Sequence, residues 1–325
     1  MRRLAYCGVL LAFLVVALGA YTRLTDAGLG CPDWPGCYGH LTVPSAEHHV
    51  ARAEAAFPDR PVVAHKAWNE MIHRYFAGSL GLLVLALAVI ALRKRARQSG
   101  LALLLLALII FQALLGMWTV TLNLKPVVVM GHLLGGFATL SLLWLLGLRL
   151  SGWRLPGGEM ALRRYKPFAM AALAVLLVQI ALGGWTSSNY AALVCTQLPV
   201  CEGDWWARLH PGDAFNLLSP PADNYEFGVL GYEARMTIHV SHRIWALITA
   251  AVLALLGWTL FKRAQSRAFR KLAMLMLVLL LVQLGLGVAN VVLSLPLVVA
   301  VAHNLVAAML LLSLVTINYG LWRKA

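Results

Sequence analysis

The sequence predicts an all-α integral membrane protein of eight transmembrane helices, arranged as two tandem, parallel four-helix bundles. Three observations carry that prediction. Of 325 residues, 61% are hydrophobic and only 12% charged, a composition too apolar for a soluble domain. Eight apolar runs are long enough to cross about 30 Å of hydrocarbon, which takes about 20 helical residues. The second half also repeats the first, motif by motif, at a nearly constant offset.

The first run, 4–21, follows MRR and could pass for a signal peptide. It ends in GAYTRLTDAG, a poor small-residue cleavage site, and is therefore read as a span. A loop with GLGCPDWPGC at 28–37 separates it from the second span, 68–92. The basic run RKRAR at 93–97 leads to spans at 101–120 and 127–148, which complete a first half of residues 1–150. The second half, 151–325, opens with a span at 167–187. A long loop from 188 to 235 follows and carries CTQLPVC at 195–201. Spans at 236–261, 272–293 and 296–319 close the chain.

The net charge of +14 invites a nucleic-acid partner, but the placement of the charge argues against one. Eighteen of the 27 Lys and Arg residues fall at the two chain ends and in the segments 93–97, 149–166 and 262–271, all on one side of the predicted membrane. That side is the cytoplasm by the positive-inside rule. Both termini are then cytoplasmic, both cysteine loops face outward across a plasma membrane, and lipid accounts for the composition without nucleic acid.

Thiols on the oxidising side tend to pair, so Cys31 with Cys37, and Cys195 with Cys201, are expected to form local disulfides. No nearby ligand set completes a zinc site. Whether the pairs only clip the loops or also cycle depends on an environment that spacing does not reveal. Cys7, inside the first span, reads as a small apolar packing residue.

The repeat carries the chemistry. LGAYTRLTDAGLGCPDWPGC and LGGWTSSNYAALVCTQLPVC align at an offset of 164, pairing Gly19 with Gly183 and both cysteines. EMIHRYFAG aligns with HVSHRIWAL, pairing His73 with His242. Gln112 precedes His132 by 20 positions, and Gln283 precedes His303 by the same 20. Each half thus has one histidine near the outer end of its second span and one near that of its fourth. An ionisable residue inside a span is a functional hypothesis by default. Two imidazoles facing each other across a bundle suit a haem iron, since bundle cores build cofactor sites from facing helices. Zinc is left short of ligands. Arg74 and Arg243, directly after two of the histidines, could reach haem propionates or simply snorkel to the interface. His239 shares a helix face with His242, but the repeated His-Arg register favours His242 as the ligand.

The halves differ at one position beside the chemistry: Glu70 stands where the second half has His239. A carboxylate one turn from a haem ligand suggests proton chemistry, and the alternative is an interfacial ion pair with Arg74 or Lys66.

TRLTDAGLGCPDWPGC, EMIHR, GHLLGG, SHRIWA and VAHN, in this order over eight spans, resemble the heme A synthase family. The resemblance implies oxidation of a methyl group on heme O to a formyl group, giving heme A for terminal oxidases. It implies that His73 and His132 hold the substrate haem, that Glu70 serves the chemistry, and that His242 and His303 ligate a resident haem b. Heme O synthase and terminal oxidase assembly factors become expected partners, and a homo-oligomer stays open beside a monomer. Two rivals remain: a membrane thiol:quinone oxidoreductase working through the cysteine pairs, and a bis-histidine cytochrome b that only carries electrons. The first leaves four matched histidines unexplained. The second leaves Glu70 unexplained.

Overall fold

A computed structural model describes residues 1–153 and 160–322. The basic residue expected at Arg154 and those at the C-terminal 323–325 lie outside the described residues. The described chain is helical, with eight helices long and apolar enough to cross a membrane. They are α1 (Arg2–Leu24), α3 (Ala64–Arg93), α4 (Ser99–Thr121), α5 (Pro126–Ser151), α6 (Lys166–Ser188), α8 (Tyr232–Arg263), α9 (Arg267–Val292) and α10 (Leu297–Trp322). Each covers a predicted span to within one residue. The helices α3 and α8 start about a turn earlier than the apolar runs suggest, because helical hydrogen bonding continues through polar residues that hydropathy alone discounts.

Two helices come from segments read as loops. The first, α2 (Glu47–Ala56), is alanine-rich with Glu47 in its first turn, which favours a helix by propensity and by the dipole. The second, α7 (Pro211–Ala214), is one turn opened by proline.

Equivalent ends are built alike in the two halves. At the end of α4, the N–H of Leu124 donates to the carbonyl of Thr119 at 2.8 Å. At the end of α9, Leu295 does the same to Asn290 at 2.7 Å. These six-residue closures cap the helix C-termini and pass through positive φ at Asn123 and Leu124, and at Ser294 and Leu295. In each case the next transmembrane helix follows at once.

In the first half, α1 packs against α3 and α5, and α4 packs against the same two. In the second half, α6 packs against α8 and α10, and α9 against those two. The halves meet where α1 touches α10 and where α5 touches α6 and α10. Fully buried Ala5, Ala169 and Ala172 stand in this core, where small residues let membrane helices approach closely. Trp144 Nε1 of α5 donates across it to Thr316 Oγ1 of α10 at 2.7 Å, and beside it, within the second half, Asn318 Nδ2 donates to the Ala169 carbonyl at 3.1 Å. Such bonds contribute about 0.6 kcal/mol on average within a membrane. Apolar side chains such as Leu82 and Val298, 70% and 79% exposed, point outward into what is hydrocarbon for a membrane protein.

Candidate functional site

The four predicted histidines converge on one cavity of about 2060 Å³. A pocket for a single small ligand runs to about 300–1,000 Å³, so this space is large enough for two macrocycles. His73 (α3) and His132 (α5) face each other with ring centroids 6.3 Å apart. His242 (α8) and His303 (α10) occupy the matching positions and line the same cavity.

Each imidazole lies flush against a neighbouring helix, at a glycine. A Cβ added at Gly19 would stand 3.0 Å from His73 Cε1, and one at Gly116 3.4 Å from His132 Cε1. Added at Gly183 it would stand 3.2 Å from His242 Cε1, and at Gly287 3.3 Å from His303 Cε1. Four histidines seated on four glycines is a constraint on ring position, not chance packing. The sequence repeat contained Gly19 and Gly183 as a matched pair but not the reason for them.

The donor set fits haem. Nδ1 of His73, His132 and His303 is buried without a well-formed hydrogen bond, each ring leaning toward backbone of a neighbouring helix at Val15, Gln112 and Gln283. A buried unsatisfied polar group costs about 1–3 kcal/mol, which ligation or a reoriented ring would relieve. The walls are apolar apart from a few convergent polar groups. Among the described residues, the only grouping of three or more close metal-ligand side chains is Cys195, Cys201 and Glu202. Its two sulfurs are joined in a disulfide, so zinc finds no competent set at the histidines.

The second half adds a residue that sequence reasoning missed. Gln179 Nε2 lies 3.2 Å from His242 Nδ1 and donates to the His242 carbonyl at 3.3 Å. The first half has Val15 at the corresponding place, and this break in the 164-residue register was the available signal. Groups that orient a metal-ligating histidine typically govern affinity by roughly 10- to 100-fold. Gln179→Leu is therefore expected to weaken retention of a haem at His242 by about that factor, read as haem loss to an apo-globin acceptor. Unchanged release kinetics would dismiss the orienting role.

Both disulfides are formed within their own loops, Cys31 with Cys37 and Cys195 with Cys201. All four cysteines are nearly or fully buried. The arginines read as propionate contacts or as interfacial side chains hold these loops down. Arg74 Nη1 donates to the carbonyls of Asp33, at 3.0 Å, and of Gly36, while Nη2 pairs with Glu70 Oε1 at 2.5 Å. Glu70 Oε2 accepts from the Cys31 N–H at 2.9 Å. In the second half, Arg243 donates to the carbonyls of Cys195 and Gln197, both at 2.7 Å, and of Val200. Its Nε bonds His239 Nε2 at 3.1 Å. Glu70 and His239 thus share one task, steadying the arginine that grips the cysteine loop. Both arginines still border the cavity, as does Arg23, whose Nη2 donates to the Ser187 carbonyl at 2.6 Å and ties α1 to the end of α6.

The loops also join one another over this end of the cavity. Asn123 accepts from Arg60 Nη2 at 2.5 Å and donates to the Asp223 carbonyl at 2.7 Å. His40, His48, His49, His65 and His210 do not line the cavity. His40, His48 and His49 cluster beside the first cysteine loop, and His65 lies in the first turn of α3 rather than in a loop.

Glu202 closes the second cysteine loop by accepting from the Thr196 hydroxyl and N–H and from the Gln197 N–H. The Thr196 hydroxyl bond, foremost, holds this carboxyl down at about 2, against an ordinary value of 4.5. Because the folded value is depressed, the carboxylate's contribution is fully present above 4.5 and fades as pH falls through about 2. Amide exchange at Thr196 and Gln197 should stay protected down to that window, and Glu202→Gln should lose part of the protection already at neutral pH. Identical exchange in the two proteins would contradict this account.

Comparison with known proteins follows the same lines. The chain matches the COX15-CtaA family model, described as cytochrome oxidase assembly protein, over residues 2–315. It is 54% identical over 312 residues to a curated protein of Shewanella oneidensis named "Heme A synthase", covering 96% of this chain and 94% of that one. Proteins of the same name from Beijerinckia indica (30% identical; 93% of this chain, 87% of that one) and Halalkalibacterium halodurans (27% identical; 93% and 90%) are also similar.

Proposed function

The chain belongs to the COX15-CtaA family of cytochrome oxidase assembly proteins, and from that premise we propose that it is a heme A synthase, oxidising a methyl group of heme O to a formyl group. The observation that carries the reading is the set of four glycine-seated histidines on one apolar-walled cavity.

In this reading the two halves, 1–150 and 151–325, act as tandem bundles with different occupants. His73 and His132 hold the substrate haem. His242 and His303 hold a resident haem b, whose iron supplies one-electron chemistry when bound. The first half keeps a carboxylate one turn from a ligand, Glu70, where the second half has His239. With oxygen entering at the oxidation level of water, conversion of methyl to formyl releases four protons and four electrons, the electrons passing to an acceptor. Glu70, on the substrate side and hydrogen-bonded to the loop above, is placed to take up protons. Arg74 and Arg243 border both sites and are retained as propionate contacts in addition to their loop carbonyls. His239 is assigned a steadying role.

The protein is placed in the plasma membrane with both termini cytoplasmic and the disulfides on the oxidising side. Heme O synthase and terminal oxidase assembly factors are its proposed partners. Burial of the disulfides speaks against thiol exchange with a quinone system, which requires sulfur access. Co-expression with a heme O source, followed by haem extraction and chromatography, tests the activity: heme A should appear, and persistence of heme O alone would overturn the assignment.

A further inference from the structure

The two halves differ along the outward wall of their shared cavity. In the first half, Gly78, Ser79, Leu80 and Gly81 of α3 all border it. Successive helical residues point about 100° apart, so four in a row mean that the cavity reaches around α3 to its lipid side. There Leu82 and Leu85 border it too, 70% and 44% exposed. Across the gap, Ile109, Ile110 and Ala113 of α4 form the facing edge. A side chain added at Gly78 or Gly81 would meet nothing within 4 Å. The corresponding residues of α8 are Leu247 and Ala250; Leu247 also borders the cavity, 68% exposed, but Ala250 and the residues after it do not, so the opening in the second half is narrower and carries side chains where the first has glycines.

A second difference points to a ligand. Gln112 of α4 borders the cavity at 7% exposure, and its Nε2 is buried without a partner. The counterpart Gln283 places Nε2 3.2 Å from His303 Nε2. The cause lies on the facing helix: a Cβ at Gly135 would collide with the Gln112 amide, and the matching position in α10 is Val306. Glycine at 135 lets Gln112 swing away from its histidine and leaves a polar group of the first cavity unsatisfied.

We propose that the first cavity is shaped for a haem carrying a long isoprenoid chain with a hydroxyl at its root, the chain leaving between α3 and α4 over Gly78 and Gly81 into the lipid and the hydroxyl meeting the amide of Gln112. The narrower second opening then suits a haem without such a chain. This rests on the reading of His73 and His132 as the substrate pair.

The test is a titration of the full-length protein, resident haem in place and reconstituted in lipid nanodiscs, with heme O and separately with haem b, followed by the bis-histidine absorption band. Gly78→Leu with Gly81→Ala adds side chains only into open space and copies the second half. It should weaken heme O binding at least about tenfold, since displacing even two methylenes is worth that much, while haem b affinity stays within about twofold. Gln112→Leu should cost heme O about tenfold, the value of one buried hydrogen bond, and spare haem b. Unchanged heme O affinity in both variants, or equal losses for the two haems, would overturn the groove. A parent protein whose added-haem signal survives His73→Ala and His132→Ala would instead overturn the substrate-site reading beneath it.

Discussion

Alanine at His242 or His303 is expected to empty the purified protein of its resident haem, with the low-spin b-type spectrum falling by more than the roughly 10- to 100-fold in affinity that loss of a mere orienting partner costs. The expectation rests on how little else could hold the group. Each ring is fixed against a glycine of the neighbouring helix, Gly183 or Gly287, and each has a glutamine amide within 3.2 Å. Replacing either imidazole leaves a void against that glycine and a glutamine amide that cannot take the place of the imidazole as a haem ligand. The same change at His73 or His132 should leave the resident haem in place, because those rings belong to the other half of the cavity. Haemochrome content per protein is the measurement, with circular dichroism confirming that the helices persist. Equal haem content in the His242 and His303 variants and the parent would end the assignment, and depletion in all four variants would remove the division of labour between the halves.

The eight spans were legible because hydrocarbon imposes one length and one composition on a crossing helix. The four histidines were legible because a duplication displays them twice in register. Where the sequence reading fell short, the missing information was backbone. Arg74 and Arg243 were read as propionate contacts or as interfacial side chains, and neither reading contained the carbonyls of Asp33, Gly36, Cys195, Gln197 and Val200 that take most of their bonds. Every residue has a carbonyl, so such an acceptor leaves no mark in a sequence. The glycine seats were similarly hidden, since a missing side chain signals close approach without saying what approaches. Gln179 and Gly135 were readable in principle, as departures from the repeat opposite Val15 and Val306. Departures outnumber matches in so diverged a duplication, and only the cavity shows which of them matter.

Glu70 is where scaffold and chemistry meet, and Glu70→Gln is expected to separate them. The glutamine has one acceptor oxygen where the carboxylate uses two, so it keeps the Cys31 N–H or Arg74 but not both, while Arg74 still holds the Asp33 and Gly36 carbonyls and the first cysteine loop should stay largely gripped. What disappears is the negative charge and with it the capacity to take up a proton. If the carboxylate accepts protons as the methyl group is oxidised, the rate of heme A formation should fall by about 10²- to 10⁴-fold, with heme O or a partly oxidised haem accumulating and the resident haem retained. Glu70→Ala breaks the grip as well, so its disulfide should become more reducible and more readily alkylated. In Glu70→Gln that accessibility should match the parent. Glu70→His copies the second half and should preserve the loop through an Arg74 contact like that of His239 with Arg243, yet make little heme A. His239→Gln should stay close to the parental rate, because its neighbour Arg243 keeps three carbonyls of the second loop. Parental heme A output from Glu70→Gln would make the residue a clamp on the cysteine loop and nothing more. Output lost in step with loop exposure across all the Glu70 variants would point the same way, since a proton acceptor must fail in Glu70→Gln while the loop is still held.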